Sequence, residues 1–222
     1  MKQTNLSKNT LLITAIIAII SGGCQKAYYG TMEMFGKHKR DILVDNVTEA
    51  RDAQDQAKKQ FASALEEFMS VVNTPNSQLE QKYNTLNAAY EKSKDKAEAV
   101  SDHIRDVKRV AKALFKEWEN ELDEYSSSAL RKASEEKLKQ TQTRYAKLIT
   151  AMERAESKIT PVLSAFHDQV LFLKHNLNAQ AIASLQDELT SVESDINTLI
   201  QEMEKSIDEA DAFIQEMTQQ QS

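Results

Sequence analysis

From Lys37 to Ser222 the chain contains no glycine, and its four glycines (Gly22, Gly23, Gly30, Gly36) all lie in the first 36 residues. Tight turns, strand bulges and phosphate-cradling loops depend on glycine, because only a residue without Cβ enters left-handed backbone freely. The long glycine-free stretch therefore excludes a Gly-rich phosphate loop, a dinucleotide fingerprint and a nucleophile elbow. Two prolines, Pro75 and Pro161, are the other punctuation. What remains is helix, and the apolar pattern has helical period.

Leu43, Val47, Ala50, Gln54, Ala57, Phe61, Ala64, Phe68 and Val71 alternate four and three apart, with Gln54 the only polar member. This is a heptad seam of ~45 Å. Thr74-Pro75-Asn76 breaks it, and Ser77 with Glu80 reads as a capping box. A second stripe runs through Leu79, Tyr83, Leu86, Tyr90, Ser93, Ala97, Val100, Ile104, Val107, Ala111, Leu114, Trp118 and Tyr125. Ser126-Ser127-Ser128 is the next turn, since serine competes with helical backbone bonding and caps well. The third helix is carried by Leu138, Thr141, Tyr145, Leu148, Met152, Ala155, Ile159, Val162, Phe166 and Leu173. Pro161 either starts a fresh helix with Thr160 as its cap or kinks a continuous one; the unbroken phase from Ala155 to Phe166 favours continuity. The apolar face widens over Val162, Leu163, Phe166 and Val170 to Leu173, which predicts a deeply buried segment. After a weak break at 174–178, the last helix uses Ile182, Leu185, Leu189, Val192, Ile196, Leu199, Met203, Ile207, Ala210, Ile214 and Met217.

Four amphipathic segments joined by short turns bury their stripes by folding back on one another. The expected fold is all-α, an elongated antiparallel bundle of about four long coiled-coil-like helices. Many Ala, Ser, Thr and Gln seam positions predict thin packing.

The first residues read as an address. Lys2 and Lys8 precede the apolar run Leu11–Ile20, and Ser21-Gly22-Gly23-Cys24 follows it. This is the n-region, h-region and small-residue site of a secretory signal. This ten-residue run reaches ~15 Å as helix, about half a bilayer core. A cysteine directly after small residues resembles a bacterial lipoprotein signal, in which the thiol is diacylated, the chain is cut before it and the new amine is acylated. Ser21 departs from the usual leucine of that pattern, and an ordinary signal peptide is the alternative. By the same resemblance Gln25, in place of Asp, points to the outer membrane. The expected organisation is 1–23 signal peptide, 24–40 membrane-proximal tether and 41–222 helical bundle, with Cys24 the lipidation site. Acyl chains on Cys24 supply the membrane attachment. Within the tether, Lys37, Lys39 and Arg40 form with His38 a basic knot; its two readings are contact with anionic headgroups and a solvated linker.

No chemistry stands out. No Glu lies three residues before any of His38, His103, His167 or His175, there is no His-Glu-x-x-His motif, and Cys24 is the only cysteine. Glu98, Asp102, His103 and Asp106 read as a solvated polar face, and the acidic pairs elsewhere read as i,i+4 partners of nearby lysines. No catalytic residue, metal site or cofactor is expected. The formal charge of −6 opposes nucleic-acid binding, which needs a basic surface.

Four stretches of sequence carry a further resemblance: Tyr28-Tyr29-Gly30, Gly36–Val44, Ala50–Gln54 and Val170–Ala179. They are similar to an uncharacterised family of Gram-negative lipoproteins known only as a domain of unknown function. The resemblance implies secretion, lipidation and helices, and supplies no activity. It marks His175 and Asn176 as a candidate partner contact. The resulting expectation is a non-enzymatic, lipid-anchored periplasmic helical rod at the outer membrane. Its partner would be an envelope protein, peptidoglycan or a second copy. The alternative is a bundle that binds lipid or a small ligand near Pro161.

Overall fold

The computed structural model describes residues 39–73, 78–176 and 179–219. The chain divides into two compact units, Met1–Ile42 and Leu43–Ser222. Four helices occupy the described residues: α1 Lys39–Asn73, α2 Leu79–Glu121, α3 Ser128–His175 and α4 Ala179–Gln219. A 3-10 turn, Leu122–Glu124, joins α2 to α3. No strand occurs among the described residues, and the fold of the second unit is an all-α bundle.

Cross-helix contacts fix how the helices run. Gln60 Nε2 donates to Ser93 Oγ at 3.5 Å and Lys82 Nζ to Val71 O at 2.8 Å, so α1 and α2 are antiparallel. Trp118 Nε1 donates to Ser134 Oγ at 2.8 Å, while Phe115 packs edge-on against Tyr145 and Tyr90 against Phe166, which sets α2 antiparallel to α3. Arg154 meets Glu202 and Arg144 meets Glu216, so α4 returns along α3. Ser206 on α4 donates to Gln54 on α1, closing the ring of four. Phe68 and Phe166, 6.3 Å apart and edge-to-face, touch across the diagonal.

The nine-residue seam of α1 is buried at every position, including Gln54. On α2 the buried set is Leu86, Ala89, Ser93, Ala97, Val100, Ile104, Val107, Val110, Ala111 and Leu114, with Lys82 added. Tyr83 and Tyr90 are half-buried flanks, and Tyr125 is 42% exposed beyond the helix end. The earlier stop has a local cause. The chain tightens into the 3-10 turn at Leu122, and Ser127 then caps α3 by accepting from Leu130 N. Arg131 Nη2 ties the turn by donating to Asp123 Oδ1 at 2.9 Å.

Local details depart from the sequence reading at the helix ends, while the continuous helix expected through Pro161 stands. The N-cap of α2 is Gln78, with φ 65° and no side-chain cap bond. Ser77, which the expected capping box needs, lies outside the described residues. Left-handed backbone at a non-glycine costs about 1–2 kcal/mol. The C-terminus of α1, which carries no basic residue in its last turn, takes its cation from α2: Lys82 Nζ, on a residue only 7% exposed, sits on Val71 O. A positive charge there complements the helix dipole and satisfies a terminal carbonyl. Burial lowers the Lys82 pKa.

Pro161 lies inside α3, which runs unbroken from Ser128 to His175. It faces solvent, where water can satisfy the carbonyl that loses its N–H partner, and the seam through Ala155, Ile159, Val162 and Phe166 stays buried. The apolar widening beyond it is buried only in part. Val170 and Leu173 enter the core, whereas Leu171 and Phe172 are each 39% exposed.

Candidate functional site

Cys24 and Lys37 lie outside the described residues, as does His38. Lys39 and Arg40 are the first two residues of α1. His175 and Asn176 close α3 at its other end. Asn176 is its C-cap: its backbone N–H donates to Leu173 O at 3.3 Å, and Nδ2 donates to Phe172 O at 2.9 Å. Lys174 adds a cation to the last turn, where the helix dipole favours it, and His175 lies beside it. The Lys-His-Asn run therefore has a local structural task, ending a 48-residue helix.

The polar face around His103 resolves into two ion pairs and one close approach. Asp102 pairs with Arg105 at 2.9 Å, Asp106 with Arg109 at 2.7 Å, and His103 Nδ1 lies 3.7 Å from Glu49 across α1 and α2. His167 packs its ring against Tyr90, centroids 5.1 Å apart. Among the described residues no group of three His, Cys, Asp or Glu side chains could hold a metal ion.

The most organised polar arrangement is one that sequence reasoning missed. Glu202 on α4 sits just outside the core seam, its side chain only 9% exposed. Lys205 Nζ, one turn on, donates to its Oε1 at 2.9 Å, and Arg154 Nε on α3 approaches its Oε2 at 2.7 Å. The Lys205 hydrogen bond holds the Glu202 carboxyl below the usual carboxylate range, helped by the charges of Arg154, Lys205 and Lys158, while burial works the other way. Carboxylate oxygens on both sides are thus occupied, which suits a fixed ion pair and not a proton-transfer group.

Glu202 stands at one end of a shallow groove between α3 and α4, about 630 Å³ in volume. Its floor is small, with Ala146, Thr150 and Ala151 on α3. Its walls differ in sign. Lys147 and Arg154 rise from α3, and Glu202 and Glu209 from α4, with Lys205 the exception. A second hollow of about 440 Å³ continues the groove past Thr143 towards Arg144 and Glu216.

Inside the bundle, the one polar position on the α1 seam finds a matching one. Ser206 Oγ donates to Gln54 Oε1 at 2.8 Å, both residues are fully buried, and Gln54 Nε2 has no hydrogen-bond partner. The sequence reading placed Ile207 on the α4 seam, and the structure places Ser206 there, with Ile207 half-buried beside it. Phe213 replaces Ile214 in the same way. The available signal was Gln54 itself: a lone amide in an apolar seam calls for a hydroxyl or amide facing it.

A family of proteins of unknown function, DUF2959, matches this sequence from residue 28 to residue 217. The chain belongs to DUF2959. Membership agrees with the expected domain of unknown function and assigns no activity. No curated protein and no solved structure matches the chain.

Proposed function

We propose that this DUF2959 member is a non-enzymatic lipoprotein, anchored by acyl chains on Cys24 at the periplasmic face of the outer membrane, where its bundle serves as an interaction module of the envelope. The observation that carries the reading is the run Leu11–Ile20 followed by Ser21-Gly22-Gly23-Cys24. The family match begins at residue 28, just past that cysteine, which is consistent with an address ahead of a separate module.

The bundle supports the second half of the proposal. Its apolar stripes face each other, with Phe61, Phe68, Phe166, Leu148 and Leu199 all under 2% exposed. Near Pro161, where a ligand-binding bundle would have to open, Ile159, Val162 and Phe166 are buried at 4%, 3% and 1% exposure. That packing favours an interaction role over a ligand-binding interior. Outward-facing residues are ion-paired helix faces and shallow grooves, surfaces suited to contact with another macromolecule.

The test is the intact mass of the membrane-extracted chain beside a Cys24→Ser control. The expected mass is that of the chain from Cys24 plus three acyl groups, lost in the control. An unmodified chain, or one cut elsewhere, overturns the anchor and with it the compartment.

A further inference from the structure

The α3–α4 groove carries charges of both signs above small residues. Arg154 stands opposite Glu202 and Arg144 opposite Glu216, so α3 and α4 are antiparallel neighbours across it. Seven residues before Arg154 comes Lys147, and seven after Glu202 comes Glu209, so these two stand at one level on opposite walls. Both are exposed, and neither forms an ion pair with any described residue. The groove thus carries an unspent cation on one helix and an unspent anion on the other, above a floor of Ala146, Thr150 and Ala151 that lets another helix pair come close.

A two-fold axis laid along the groove has a definite consequence. It places α3 of one copy over α4 of the other and keeps each residue at its own level. Lys147 then faces Glu209 of the second copy, and Glu209 faces Lys147 of the second copy. The contact is isologous, so both charges are answered twice and the assembly closes at two. It also leaves the copies parallel, both pointing the same way.

We propose that the α3–α4 face is the contact between two copies of this chain lying side by side, with Lys147 and Glu209 as its reciprocal charge pair. This deepens the interaction role proposed above, because copies anchored in one membrane share an orientation and a high local concentration. The face is ~27 Å long and two helices wide, so the pair buries about 1,000 Å² in total, at the lower edge of specific interfaces. Such a contact is weak in dilute solution and populated when tethering raises the effective concentration.

The test uses the full chain in its own membranes. Thr150→Cys, with a short bis-maleimide, is expected to give a covalent dimer of twice the chain mass. Glu98→Cys on α2, and the parent chain, should give none. Lys147→Glu sets like charges against each other twice and should cut the dimer yield about tenfold, as should Glu209→Lys. Combining them, Lys147→Glu with Glu209→Lys, should restore it. Absence of the Thr150→Cys dimer, an adduct of another mass, or a yield indifferent to charge reversal overturns the proposal. Intact mass is read on the same sample. A charge-sensitive dimer of chains unmodified at Cys24 keeps this contact and discards the anchor; acylated chains that do not cross-link do the reverse.

Discussion

Two layers of the same bundle are built from opposite materials. Towards the α1–α2 turn, Phe68, Phe166 and Tyr90 meet edge-to-face, with centroids 6.3 and 6.1 Å apart. Nearer the middle, Gln54 and Ser206 meet through one 2.8 Å hydrogen bond and leave an amide nitrogen unanswered. The first layer gains free energy from area and from ring geometry, neither of which is very particular about partner. The second gains little net free energy, because the bond replaces bonds to water. It penalises every misalignment instead, since a slipped helix would leave both polar groups facing hydrocarbon. In a bundle whose seams repeat the same small and branched residues, aromatic layers hold the helices together and a polar layer tells α4 which turn of α1 to meet.

Removing the centre of the aromatic layer should therefore have the largest effect on stability. Phe166→Ala deletes a ring 1% exposed that touches both Phe68 and Tyr90. A loss of about 3–5 kcal/mol is expected from denaturant unfolding. A much smaller loss would mean that the layer collapses to fill the space, and that the stabilisation is spread along the seam.

The polar layer should respond in two directions. Ser206→Ala strips Gln54 of its partner and leaves a buried amide wholly unsatisfied, a cost of about 1–3 kcal/mol. Gln54→Leu combined with Ser206→Ala removes both demands and should recover that loss or exceed it. The recovered protein should be less unique, with broadened amide resonances and additional oligomers by sedimentation. A double variant that is both more stable and as well ordered as the parent would show that register is set elsewhere.

These two layers also mark where the sequence could and could not be read. All nine α1 seam positions were legible, because residues from Leu43 to Val71 keep one phase and only Gln54 interrupts it. On α4 the stripe was legible, but two of its members were not. Ile207 outranks Ser206, and Ile214 competes with Phe213, on any scale of single-residue hydrophobicity. Phase is decided by the facing helix, and the spacing between helices is not written in either one alone. Lys82 escaped notice for a related reason. A lysine beside Tyr83 reads as solvent-facing until the C-terminus of α1 is placed above it. The groove at Glu202 was out of reach too, since Arg154 and Glu202 are 48 positions apart and meet only once α4 folds back.

Glu202 lies one turn from Ser206 and extends the polar layer outward, where its response to acid can be measured. The Lys205 hydrogen bond holds its folded pKa below the usual carboxylate value, so the folded state resists protonation more than the unfolded state does. The stabilisation is present above that value and is lost as pH falls through the lower, folded pKa. The thermal midpoint of the parent should fall on acidification below pH 4.5, and Glu202→Gln should flatten part of that fall. An identical acid profile in the variant would assign acid sensitivity to other carboxylates, Asp55 among them, whose pKa is lowered chiefly by its Lys59 hydrogen bond.

The smallest expected effect belongs to Asn176, beyond the aromatic layer, and it separates two readings of one residue. As a cap, its Nδ2 satisfies Phe172 O and its N–H satisfies Leu173 O. Asn176→Ala keeps the second bond and loses the first, which is exposed. The expected cost is about 0.5–1 kcal/mol, with hydrogen exchange accelerated only in the last turn of α3. Asn176→Gln keeps an amide donor within reach of Phe172 O and should recover part of the loss. A residue kept for a partner behaves differently: both substitutions would abolish the same cross-link in the envelope, whatever their effect on α3. Measuring exchange and cross-linking on the same two variants distinguishes a helix stop from a contact. It also tests whether the exposed Leu171 and Phe172 beside it are the fringe of the aromatic layer or the beginning of a surface.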